Sequence, residues 1–114
     1  MPMPMSAIVR GRLFLLVLLA PLVLLSCVVS PPVTHTVTID GSQFVPSSLT
    51  VHPGDVVVWV NKDPFPHTAT SDAGRFDSHE IAPNQSWTFK PSAKGTFAYI
   101  CTLHVTMKGT LRVE

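Results

Sequence analysis

The amino-acid sequence predicts an all-β sandwich behind an apolar leader, and three observations carry that prediction. From Thr34 onward the apolar positions recur every second residue and not every 3.6. Short strand-like segments follow one another at intervals of roughly eight to twelve residues, separated by turns of Pro, Gly, Asn and Asp. The 114 residues include 11 Pro and 6 Gly, and strong helix formers concentrate in the first segment. The length suits one ordinary domain and excludes a multidomain enzyme.

The leader comes first. Arg10 and Arg12 form a positive start, and Leu13 to Leu25 is almost wholly apolar. That run is short for a hydrocarbon core ~30 Å thick but suits the core of an export signal. It ends in Leu24-Leu25-Ser26-Cys27, which resembles a bacterial lipobox. The resemblance implies residues 1–26 as a signal peptide, cleaved before Cys27, and a lipid on the Cys27 sulfur. A plain secretory signal and an uncleaved anchor are the alternative readings, and all three export the rest of the chain. Residues 27–33 then read as the anchored Cys and a short tether. Six residues with Pro31-Pro32 in polyproline geometry span about 19 Å at ~3.1 Å each, so the domain at 34–114 is expected close to a membrane.

Within that domain Val37 and Ile39 alternate with Thr36 and Thr38, a half-buried strand ending near Asp40-Gly41. Leu49 and Val51 make a second short piece, closed by His52-Pro53-Gly54-Asp55. Val56 to Val60 is continuously apolar and is expected at the centre of a sheet. Trp87 and Phe89 alternate with Ser86, Thr88 and Lys90, and Phe97, Tyr99 and Cys101 alternate with Thr96 and Ala98. Leu111 and Val113 close the chain. Between Asp63 and Pro83 the alternation gives way to a long polar stretch.

Composition excludes several functions. Hydrophobic residues make up 46% and charged residues 13%, which is not the balance of a disordered chain. Lys+Arg 8 against Asp+Glu 7 leaves no basic excess for a nucleic-acid backbone. Loss of the leader removes two Arg and leaves a formal charge of −1. Two Cys are too few for a disulfide framework.

The chemistry concentrates at Cys101, His104 and Met107, a C-x2-H-x2-M spacing in one tight loop, with the last strand expected to begin just after Met107. A thiolate, an imidazole and a thioether offered together suit a soft metal, copper above all. Mg²⁺ or Ca²⁺ would find no carboxylate in this loop, and a structural zinc site normally supplies more Cys and no Met. The loop lacks a second imidazole. His67 is the best candidate, because Pro64 and Pro66 stiffen its approach directly after the central strand. His35, His52 and His79 are expected to face solvent.

These residues resemble the cupredoxins, the small blue-copper proteins, and most nearly their amicyanin and plastocyanin type. The likeness runs from Thr36 to Glu114. It comprises Phe44-x-Pro46, Leu49-x-Val51, Gly54-Asp55-x-Val57-x-Trp59-x-Asn61 and Pro66-His67, then Gly95-x-Phe97-x-Tyr99-x-Cys101-x-x-His104-x-x-Met107-x-Gly109. It implies a Greek-key sandwich holding one type 1 copper ion. Equatorial ligands would be His67, Cys101 and His104, with Met107 as the long axial one. Asn61 is implied as the residue tying the His67 loop to the Cys101 loop. Two positions depart from the family's habit: Thr68 stands where Asn often follows the first His, and Leu103 where Pro often precedes the second.

The implied function is single-electron transfer between redox partners outside the cytoplasm, by a monomer and not by an enzyme. A trigonal His2Cys site with a weak axial Met accepts both copper oxidation states with little rearrangement and leaves no open position for substrate. His104 is expected to reach the surface inside a collar of Pro64, Phe65, Pro66, Leu103 and Val105, where transient partners would dock. The alternative is a copper chaperone or buffer without redox turnover. The anchored form would face the periplasm or the cell exterior.

Overall fold

A computed structural model describes residues 2–4, 11–25 and 30–114. Residues 11–25 carry no strand or helix and are exposed, and among the described residues no helix is long and apolar enough to cross a membrane. The lipidation assignment at Cys27 lies outside the described residues.

From Thr34 the chain forms eight strands: β1 (Thr34–Asp40), β2 (Gln43–Val45), β3 (Ser48–Val51), β4 (Val56–Asn61), β5 (Thr70–Ser71), β6 (Ser86–Phe89), β7 (Gly95–Cys101) and β8 (His104–Val113). They build two four-stranded sheets, ordered β2-β1-β4-β6 and β3-β8-β7-β5. β1 runs parallel to β4 and β3 parallel to β8, while the remaining pairs are antiparallel. The all-β sandwich expected from the period-two pattern is what forms.

Alternation decides which side chains meet between the sheets. Val37 and Ile39 from β1, Val57 and Trp59 from β4, Tyr99 and Cys101 from β7, and Leu111 and Val113 from β8 are all buried. Trp59 is the centre of an aromatic cluster, with ring centroids 5.5 Å from Trp87, 5.6 Å from Tyr99 and 5.7 Å from Phe76. The apolar run of β4 does lie inside its sheet, between β1 and β6. Its inward face ends on a polar residue, Asn61, which is fully buried. Gly109 is inward on β8 and directly opposite Tyr99. A Cβ there would stand 2.2 Å from Tyr99 Cζ, so only glycine lets the tyrosine ring lie flat over β8.

Four expectations need correction. β8 begins at His104 and not after Met107, so the loop between β7 and β8 shrinks to Thr102 and Leu103. Backbone pairing of Cys101 with His104, next to an irregularity at Ile100/Cys101, holds that turn tight. The stretch from Asp63 to Pro83 is no plain polar loop. It contains β5, bridges His67 to Ile81 and Thr70 to Asp77, and buries Ala69, Phe76 and Ile81. β2 is a further strand the alternation did not reveal. Finally, His35 is half-buried, with Nε2 3.0 Å from Asp55 Oδ2, because Asp55 collects the chain entering β1.

Candidate metal centre

The C-terminal ends of β4 and β7 bring the sequence-predicted residues to one end of the sandwich. β7 delivers Cys101 with its sulfur inward and fully buried. The two-residue turn then reverses the chain and presents His104 at the start of β8. His67 arrives from the segment after β4, pinned by reciprocal backbone bonds with Ile81: its N–H donates to Ile81 O at 3.2 Å and its carbonyl accepts from Ile81 N–H at 2.7 Å. Cys101 Sγ lies 3.7 Å from His67 Nδ1 and 3.8 Å from His104 Nδ1. The three candidate ligand atoms all lie within 4.8 Å of one another. Met107 is buried on the inward face of β8, three residues beyond His104. His67 is buried and His104 exposed, so the two imidazoles differ in access to solvent.

The arrangement suits one copper ion, and the donor chemistry of the chain itself tests that fit. Asp63 Oδ2 lies 2.7 Å from His67 Nε2. Burial pushes the Asp63 carboxyl up, but the N–H groups of Ser42 and Gly41 and the His67 ring outweigh it and hold it below the usual carboxylate range. An ionised carboxylate only accepts, so Nε2 carries a proton toward Asp63, and Nδ1 is the nitrogen left on the side of the Cys101 sulfur. A carboxylate behind the imidazole also fixes the ring's orientation. Gly41 and Ser42 donate to Asp63 at 2.8 and 2.9 Å, which ties the β1–β2 turn to the same ring.

The two ligand-bearing segments are stapled by Thr68. Its N–H donates to Cys101 Sγ at 3.3 Å, and its Oγ1 accepts from Thr102 N–H at 2.9 Å. Asn61 works on one segment: Nδ2 donates to Phe65 O and Ile81 O, both at 2.9 Å, and Oδ1 accepts from Asp63 N–H at 2.9 Å. The tie to the Cys101 turn expected of Asn61 is therefore made by Thr68, whose hydroxyl is short enough to reach the facing backbone. Asp63 was the residue sequence reasoning missed. Its signal was a carboxylate four residues before His67, on a segment made rigid by Pro64 and Pro66.

His52 and His79 are exposed, as expected of them. Around His104, Phe65, Leu103 and Val105 are 41%, 46% and 65% exposed, and the Phe65 ring centroid lies 5.7 Å from that of His104. The imidazole edge thus emerges within an apolar rim.

Known proteins are similar to this chain in sequence and in structure. The family model described as a cupredoxin-like domain matches residues 13–113. A plastocyanin of Scenedesmus fuscus is 34% identical over 84 residues, covering 62% of this chain and 86% of that protein. Amicyanin-alpha of Methylorubrum extorquens is 31% identical over 90 residues, covering 75% and 76%. An oxidised amicyanin variant of known structure superposes with a TM-score of 0.66 at 27% identity, over 69% of this chain and 80% of that one. Sheet order, metal centre and these likenesses converge: the chain belongs to the cupredoxin-like family.

Proposed function

We propose that the protein is a one-electron carrier working outside the cytoplasm, with a single copper ion held by His67, Cys101, His104 and Met107. The observation that carries this reading is the convergence of one buried cysteine sulfur and two imidazole nitrogens within 4.8 Å, beside a buried Met. Copper bound there would alternate between two oxidation states and supply the redox chemistry.

The chain's own residues supply the rest. Asp63 holds His67 in one tautomer, so neither redox state requires that ring to reorient. Thr68 N–H draws electron density from the Cys101 sulfur, and the Thr68–Thr102 bond keeps both segments at a constant separation. A site tied from both sides supports rapid electron exchange over metal delivery, which needs ligands that open. His104 provides the conducting edge, and Pro64, Phe65, Leu103 and Val105 provide a dry rim on which partners dock through small, short-lived interfaces. Four protein donors leave no place for a substrate, so the reading is a carrier and not an enzyme. We further propose that residues 1–26 direct export and that a lipid on Cys27 holds the monomer at a membrane.

Addition of Cu(II) to the purified protein tests the site. An intense visible absorption is expected, from charge transfer between the Cys101 thiolate and the metal, and Cys101→Ser is expected to abolish it. A Cys101→Ser protein that stayed intensely coloured would overturn the ligand assignment.

A further inference from the structure

The end of the sandwich opposite the metal centre carries a feature that electron transfer leaves unused. Val33 enters there, its N–H donating to Asp55 Oδ1 at 3.1 Å and its carbonyl accepting from Val56 N–H at 2.9 Å. At the same end Gly54 N–H donates to Pro91 O at 2.9 Å, and β7 starts at Gly95. Between the end of β6 and the start of β7 lies a cavity of about 210 Å³, lined by Phe76, Phe89 and Phe97 and flanked by Arg75 and Lys90. It is smaller than the roughly 300–1,000 Å³ of sites that enclose a whole cofactor, so it suits part of a molecule whose remainder lies elsewhere.

Charge is sorted along the molecule. Of the six basic side chains beyond the leader, Lys62 and Lys108 lie toward the metal end, whereas Arg75, Lys90, Lys94 and Arg112 lie around or beside this cavity. Asp40, Asp63, Asp77 and Glu80 gather toward the metal end. The acids near the cavity are few. Asp72 precedes Arg75, Glu114 lies across the sheet beside Val51, and Asp55 turns its carboxylate inward onto Val33, His35 and His52.

We propose that this end docks directly on an anionic bilayer, with a phospholipid headgroup phosphate between Arg75 and Lys90 and its glycerol region against the three phenylalanines. Cations and an apolar floor together match a lipid whose phosphate and hydrocarbon are covalently joined. The tether leads the same way, since Val33 enters at this end and the six residues from Val28 to Val33 would span only about 19 Å in polyproline geometry. Docking would stand the sandwich on its tether end and aim His104 away from the membrane, toward soluble partners. The inference deepens the proposed function and rests on its lipid anchor for proximity.

The test uses the full chain as processed by its host, reconstituted in vesicles of phosphatidylcholine alone or mixed with phosphatidylglycerol, with amide hydrogen exchange followed by peptide. Slowed exchange across residues 89–97 is expected on the anionic vesicles only, and it should vanish at high salt. Each Lys or Arg near such a surface contributes about a fivefold factor. Lys90→Gln should therefore weaken docking about fivefold, Lys90→Glu about 25-fold, and Lys90→Arg little. The visible absorption of each variant reports whether its fold is intact. A chain that stays on the vesicles with no protection at 89–97, or with equal protection on both lipids, would overturn the docking and leave the anchor standing. A chain recovered free of the vesicles would overturn the anchor instead. Adding phosphatidylglycerol vesicles to that free chain then decides docking alone, supporting it by protection at 89–97 and refuting it by none. Equal protection by inorganic phosphate without vesicles would reassign the cavity to a soluble anion and overturn the membrane proposal.

Discussion

Removing the Thr68 hydroxyl should separate the two segments that carry the ligands. Thr68→Val keeps nearly the same shape at a position 4% exposed, so cavity formation contributes little. What is lost is the bond from Thr102 N–H to Thr68 Oγ1, 2.9 Å long, together with the hydroxyl contacts to Thr102 Oγ1 at 3.1 Å and from Thr70 Oγ1 at 3.0 Å, of which Thr70 keeps Asp77 Oδ1 as a partner at 3.1 Å. A net hydrogen bond is worth about 0.5–1.5 kcal/mol, and a buried donor left unmade costs about 1–3 kcal/mol. Thr102 is exposed, so water reaches its freed N–H and the smaller figure governs. The expected cost is about 1 kcal/mol, which lowers the melting temperature of a domain this size by roughly 4–8 °C. The copper-loaded variant should also show a lower reduction potential. Once the staple loosens, the Thr68 N–H bond to Cys101 Sγ lengthens, and a thiolate richer in electron density favours the oxidised metal. Thermal melts of the copper-free chain and voltammetry of the loaded one read the two effects. Thr68→Ser retains the hydroxyl and should behave like the wild type. A Thr68→Val chain with unchanged melt and potential would refute the reasoning, and a Thr68→Ser chain as damaged as Thr68→Val would show that the γ-methyl matters and not the bond.

Two more outcomes follow from the packing and the charges. Gly109→Ala should destabilise the fold by about 1–3 kcal/mol, because the new Cβ overlaps a Tyr99 ring enclosed by Phe44, Trp59 and Phe76; an unchanged urea midpoint would show that Tyr99 has room to move. Asp55 is held at about 2, against an ordinary 3.8, by the N–H groups of His52 and Val33 and by His35. A lowered carboxyl stabilises the fold above its unfolded value and loses that contribution as protonation proceeds, so stability should fall between about pH 4 and pH 2. Urea melts across that range should show a shallower decline for Asp55→Asn, and identical pH profiles would remove Asp55 from the account.

The sandwich and most of the metal centre are written in local patterns. Period-two alternation depends only on successive side chains facing opposite sides, so β1, β6 and β7 were legible from runs such as Val37-x-Ile39 and Phe97-x-Tyr99-x-Cys101, and β4 from its continuous apolar run. The C-x2-H-x2-M spacing is equally local, since three donors within seven residues need only one tight turn to reach the same end of the sandwich. Contacts across the chain could not be read that way. His67 and Cys101 lie 34 residues apart, and only the packing of the two sheets brings Nδ1 to 3.7 Å from Sγ. Strand β5 has two residues, too few to show a period, and exists because β7 offers it a free edge. His104 and Met107 read as loop because His104, Val105 and Thr106 are all exposed and show no alternation, until the backbone pairing of Cys101 with His104 draws β8 forward. The role expected of Asn61 went to Thr68 for a geometric reason. Asn61 ends the inward face of β4 and is used up by Phe65, Ile81 and Asp63, while Thr68 stands where its backbone meets the sulfur and its hydroxyl meets Thr102. Sequence by itself determined which donors exist and how they are spaced; tertiary structure decided which strands carry them and which second residue holds each donor in place, because that depends on distances no spacing along the chain encodes.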